Sequence, residues 1–88
     1  MDAETRADVL KRLNYIDGHL QGIRKMVQEE QYCVDVMKQA FAVRRAIEKM
    51  EAKMLDGHLH HCVADAVQHG DTEEVFGELV ELYRLANK

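Results

Sequence analysis

Apolar residues recur along this chain at alternating steps of four and three. From Val9 they run through Leu13, Ile16, Leu20, Ile23 and Val27, the spacing of a helix that buries one face in a bundle or coiled-coil seam. The run predicts a first helix from about Ala3 or Thr5 to Glu29, with Asp2 or Thr5 as its N-cap. Gly18 and Gly22 lie inside it on one face, where they either admit the close approach of another helix or of DNA, or are simply tolerated. Glu29, Glu30 and Gln31 end the run and predict a short turn. The alternation resumes at Val36, Ala40, Val43, Ile47, Met50 and Met54, widened by Met37, Phe41 and Leu55. A second helix is therefore expected from about Tyr32 or Cys33 to about His69, with Gly57 as its one candidate kink. Gly70 suits the left-handed position after a helix end. Asp71 or Thr72 then caps a third helix, whose first turn holds Glu73 and Glu74 where the helix dipole favours them. Its apolar face is Val75, Phe76, Leu79, Val80, Leu82 and Tyr83, and it ends by about Asn87. Three helices of unequal length, with no linker or repeat, predict one all-α domain over residues 1–88 that completes its core in an oligomeric bundle.

Composition agrees with this reading and narrows it. The chain has 88 residues, no proline and five glycines. That favours long helices, and a chain this short sits near the lower end of what buries an independent core. No apolar run approaches the ~18 residues that cross a bilayer, and Met1-Asp2-Ala3-Glu4 lacks the basic and apolar regions of a signal peptide. The expected setting is the cytoplasm, with no membrane partner. Net charge is −4, yet residues 1–53 hold ten Lys/Arg against nine Asp/Glu, and residues 54–88 two against seven. Within the basic half, Lys38, Arg45, Lys49 and Lys53 follow steps of seven, four and four along one helical face, with Arg44 beside them. Such a face is either a solvated surface or a nucleic-acid surface.

The chemistry concentrates between Tyr32 and Cys62. Two cysteines in a reducing compartment are better suited to metal or redox chemistry than to a structural disulfide. His58 and Cys62 are four apart and share one helical face. Cys33 stands 25 residues before His58, which on one continuous helix is a separation of roughly 37 Å. One helix cannot close that gap, so Cys33 can meet His58 and Cys62 only on a second copy, antiparallel to the first with a dyad near Ile47. Two thiolates and an imidazole form a soft donor set suited to trigonal Cu(I), whereas Zn(II) prefers a fourth ligand. His61 lies near the face of His58 and is a candidate fourth donor; His60 points to solvent. The plainer alternative makes Cys33 and Cys62 small buried residues and His58 a polar end of the bundle. Met26, Met37, Met50 and Met54 fall on the apolar stripes and read as core filler.

These residues carry a family resemblance over essentially the whole chain. Arg12-Leu13, Gly18-His19-Leu20 with Gly22-Ile23, Tyr32-Cys33-Val34-Asp35-Val36, Ala42-Val43-Arg44, and His58-Leu59 with His61-Cys62 together resemble the copper-sensitive operon repressor family, CsoR, of the CsoR/RcnR superfamily. The resemblance implies a three-helix protomer that dimerises through an antiparallel four-helix bundle and pairs into a flat homotetramer. It implies a metal-free oligomer bound to operator double-stranded DNA, released by Cu(I) so that copper-resistance genes are expressed. Carried over by position, Cys33 of one protomer with His58 and Cys62 of the other would be the metal ligands. Tyr32 and Glu78 match the positions that support the ligands. Arg12 and Lys49 match basic positions implicated in DNA contact, to which Arg44, Arg45 and Lys53 are added from the charge pattern.

The same residues weigh the rivals. Nickel and cobalt sensors of the superfamily replace the final cysteine with histidine and use an N-terminal histidine, where this chain has Cys62 and Met1. Persulfide sensors lack the histidine at position 58, and formaldehyde sensors lack the second cysteine. A thiol redox or persulfide switch through Cys33 and Cys62 is the alternative, since it needs no His58. An enzyme built on Cys33 and His58 would need a pocket and an oxyanion-stabilising group, neither of which the sequence offers.

Overall fold

A computed structural model describes all 88 residues, as helices and short turns without a strand. Helix α1 spans Ala3–Gln28 and α2 spans Cys33–Gly57. The second rod does not stop at Gly57: it runs through a π-helical turn, His58–Val63, into the short α3, Ala64–Gln68. Helix α4, Thr72–Ala86, completes the chain. The three predicted rods are therefore present, all-α, and the second reaches His69 as expected from its periodicity.

Local chemistry sets the ends. Asp2 caps α1, its Oδ2 accepting from the Thr5 amide at 3.0 Å. Helix α1 closes with the Gln31 amide donating to the Met26 carbonyl at 3.0 Å, and α3 closes in the same way with Asp71 donating to Ala66 at 2.9 Å. Each closure needs one residue in the left-handed region. Gly70 fills it after α3 at φ 85°, as the sequence indicated; after α1 the residue is Glu30, at φ 55°, with nothing in the sequence to mark it. Asp71 occupies the N-cap position of α4 but makes no side-chain cap bond.

Helices α1 and α2 pack antiparallel, Thr5 lying against Gly57 and the His19 ring hydrogen-bonding Gln39 Oε1 at 2.8 Å. Helix α4 contacts α3, from which a short turn separates it. The core is small: Val9, Ile16, Val43, Val63, Val75 and Gly57 are the buried residues. The seam read from the sequence divides here. Val9 and Ile16 are covered inside the protomer, whereas Leu20, Val27, Met37 and Phe41 lie 47–59% exposed. The protomer measures 55 × 29 × 13 Å and exposes 7162 Å². A compact chain of its mass would expose roughly 5,300 Å². The difference is about twice what a standard interface covers on one partner and falls in the per-partner range of obligate interfaces.

Candidate metal centre

The predicted ligands occupy opposite ends of the second rod. Cys33 is the first residue of α2, exposed, directly after Tyr32, which occupies the N-cap position without a side-chain cap bond. His58 opens the π-helical turn and Cys62 lies within it; both are half-buried. Both cysteines are free thiols. Within one protomer no three His, Cys, Asp or Glu side chains gather to hold a metal ion. The fold thus brings His58 and Cys62 to one segment and leaves Cys33 at the other end. Glu78 is exposed on α4, the helix that follows α3, and Tyr32 stays with Cys33.

The π-helical turn changes which histidine shares the ligand face. With about 4.4 residues per turn, as bonding from i to i+5 requires, residues four apart stay within about 30° of each other. Residues three apart swing to well over 90°. His58 and Cys62 therefore keep a common face, and His61, expected near it, is carried off. His61 Nε2 lies 3.6 Å from Asp2 Oδ1 instead, at the start of α1. His60 turns back on its own helix, Nδ1 bonding the Asp56 carbonyl at 2.9 Å, and His69 does the same with Asp65 at 2.8 Å. With His19 on Gln39, every histidine but His58 has a polar partner in the protomer.

The segment before His58 is braced from α1. Gly57 has an ordinary helical backbone, φ −64° and ψ −39°, so conformational freedom is not what glycine supplies. Space is: a Cβ at position 57 would run into Thr5, meeting Oγ1 first and Cγ2 at 2.8 Å. Next to it the Asp2 carboxyl is held below the usual carboxylate range, chiefly by the Thr5 side chain and then the Thr5 amide, with His61 adding to both. Its Oδ1 is shut off from solvent and accepts no hydrogen bond. Sequence reasoning named Asp2 and Thr5 as caps and Gly57 as a kink; no spacing signal ties residue 5 to residue 57.

The basic residues fall into two groups. Arg12, Lys49 and Lys53 line a cleft of about 470 Å³ between α1 and α2, together with Ala52 and Asp56. Arg12 Nε donates to Asp8 Oδ2 at 3.3 Å. Arg44 pairs with Glu48 at 3.6 Å across an exposed turn, and Arg45 is exposed beside it. Gly18 and Gly22 have nothing within 4 Å in the protomer, so neither is explained by packing between α1 and α2.

Comparison with known proteins bears on this arrangement. The family model for metal-sensitive transcriptional repressors matches residues 5–84. The copper-sensing transcriptional repressor CsoR of Bacillus subtilis (strain 168) is 36% identical over 86 residues, 98% of this chain and 85% of that protein. Among solved structures, the copper-sensing repressor CsoR with Cu(I) from Geobacillus thermodenitrificans NG80-2 superposes with a TM-score of 0.93 at 32% identity, covering 100% of this chain and 92% of that one. The nickel-responsive transcriptional regulator InrS superposes with a TM-score of 0.75 at 37% identity, covering 89% of each chain.

Proposed function

The chain belongs to the CsoR/RcnR family of metal-sensing transcriptional repressors, and from that premise we propose that it is a Cu(I)-responsive repressor whose metal site forms between two copies. Cys33 of one protomer and His58 and Cys62 of the other would hold the ion. The observation that carries the reading is the state of His58: it alone among the five histidines has no polar partner, and it shares its face with a free thiol. Two thiolates and one imidazole fit Cu(I), which would tie the start of one rod to the end of its partner's. His61, engaged with Asp2, is not a fourth donor of the kind Zn(II) or Ni(II) would take.

The assembly is a two-fold antiparallel dimer, paired again as a tetramer. Leu13, Leu20 and Val27 of α1 with Met37, Phe41 and Leu55 of α2 give each protomer an uncovered apolar face for it. Metal-free, the oligomer binds operator DNA through Arg12, Arg44, Arg45, Lys49 and Lys53, largely by phosphate contacts, so binding falls steeply with salt. If one ring nitrogen of His58 held the metal, the other would be free to donate to a supporting group, for which Tyr32 and Glu78 are the candidates. Linkage makes the effect reciprocal: metal that weakens DNA binding is itself weakened by DNA, by about 1–3 kcal/mol.

The test is anaerobic fluorescence anisotropy of the reduced protein on DNA from upstream of its own gene, without and with one Cu(I) per protomer, repeated with Ni(II) and with His58→Ala. Release by Cu(I), no release by Ni(II), and retention by His58→Ala are expected. A thiol-reactive inducer acting on Cys33 and Cys62 is the alternative, favoured by the exposed Cys33 thiol; release that survives His58→Ala would select it.

A further inference from the structure

We infer that the first turn of α1 is a clamp on the ligand-bearing segment, with Thr5 against Gly57 and Asp2 against His61, and that these four are positioning residues for the metal response. The inference rests on the reading of His58 and Cys62 as ligands. None of the four is assigned a metal or DNA contact.

Three observations carry it. First, the clamp grips the segment on both sides of His58. Gly57 precedes that ligand and is buried under Thr5, and His61 follows it by three residues and meets Asp2 at 3.6 Å. Second, the contact leaves no room for a side chain at position 57. The backbone there is one that any residue adopts, and glycine inside a helix weakens it relative to alanine. Gly18 and Gly22, by contrast, have open space where a Cβ would be. Third, the segment needs outside support. A π-helical turn is rare and occurs mostly as a single turn inside an α-helix at a functional site, and here the turn lies directly beside the contacts with Thr5 and Asp2.

The clamp also gives the ligand segment a second link to the basic cleft, beside α2 itself, which carries Lys49 and Lys53 shortly before His58. From Asp2 and Thr5, α1 continues one turn to Asp8, which accepts from Arg12 at 3.3 Å, and Arg12 lines the cleft with Lys49 and Lys53. When His58 and Cys62 are drawn onto a metal with the partner's thiolate, the π-helical turn shifts against α1. Thr5 and Asp2 carry that shift to the helix bearing Arg12. The ligands can bind without the clamp; the release of DNA depends on it.

The test separates binding from release. The full-length reduced protein is assayed for Cu(I) affinity by chelator competition, for its copper–thiolate charge-transfer band, and for the ratio of DNA affinities without and with Cu(I). Gly57→Ala drives a Cβ into Thr5 and is expected to cut that ratio about tenfold, within the range of a coupling of this kind. Metal-free DNA binding should stay within about twofold, because no charged group changes. Adding Thr5→Ala removes Oγ1 and Cγ2 and leaves only the residue 5 Cβ at 3.0 Å, a contact relieved by a small shift of the neighbour, and should restore part of the ratio. Asp2→Asn keeps an acceptor for the Thr5 amide but removes the charge facing His61. It should retain the charge-transfer band and lose release about threefold, a smaller share of the same coupling.

Parent-like release by Gly57→Ala, or a double variant no better than the single, would overturn the clamp while leaving the copper reading intact. A parent protein that binds DNA but ignores Cu(I) would overturn both. If Gly57→Ala does not fold by circular dichroism, Asp2→Asn decides: unchanged release sinks the clamp.

Discussion

The two ends of the second rod are built differently. At its start, Tyr32 and Cys33 are exposed, follow a strained turn, and are held by no side chain of the protomer. At its far end His58 and Cys62 are half-buried in a π-helical turn braced by Thr5 and Asp2. One half of the candidate site is organised in advance, and the other is presented on a bare helix end. In the proposed assembly a site divided in this way would respond to assembly and to metal together, because the exposed half is the half that must arrive from a second copy.

The strongest way to break the comparison is to stop the ends from meeting. Phe41→Glu places a charge on the open apolar face, where burial without a partner costs about 3–5 kcal/mol. Light scattering should find monomer, and metal and DNA binding should be lost together. Removing one end comes next. Cys33→Ser or Cys62→Ser should each weaken Cu(I) binding by more than about 100-fold, since losing a supporting residue alone reaches that range. Refolding equal amounts of the two variants together should recover one site in each mixed dimer; as half of the dimers are mixed, the charge-transfer band should return at about a quarter of the parent amplitude. Recovery fails if each protomer holds a complete site.

The smaller effects sharpen the contrast. Glu30→Gly relieves the left-handed position before the bare end and should raise stability by about 1 kcal/mol in a thermal melt. At the braced end the sign runs through Asp2. Its carboxyl lies below the ordinary value of 3.8 in the folded protein, so its contribution is present above that pH and lost as the pH falls through the lowered value. An acid titration should show a step in stability below pH 3.8 that Asp2→Asn removes.

The sequence carried the rods well and the brace poorly, for physical reasons. Asp2 as cap, Gly70 as stop and the reach of the second rod were legible because they are local: a carboxylate three residues before an amide, a residue without a Cβ, an unbroken period. The seam was legible only as a total. Val9 and Phe41 look alike in a periodic pattern, yet Val9 is covered by its own chain and Phe41 is half exposed. Periodicity reports that a residue is buried, not by which neighbour. The π-helical turn left no trace in the spacing, because one wider turn moves residues by less than the width of a stripe. It still exchanged the surroundings of His61, from the ligand face to Asp2. Gly57 read as a kink because glycine usually signals freedom; here it signals a close neighbour far away in sequence. The separation of Cys33 from His58 was legible because it is a length, and a helix fixes length.

The protomer's 7162 Å² of exposed surface carries a last consequence, for thermodynamics. If the half-exposed Leu20, Val27, Met37 and Phe41 are covered by a second copy, as proposed, the chain would have no single melting temperature of its own. The folded state of the proposed dimer would be reached by mass action, and each tenfold dilution would take about 1.4 kcal/mol from it. Any stability quoted for this protein, or for a variant of it, would therefore be a statement about a solution of known protein concentration.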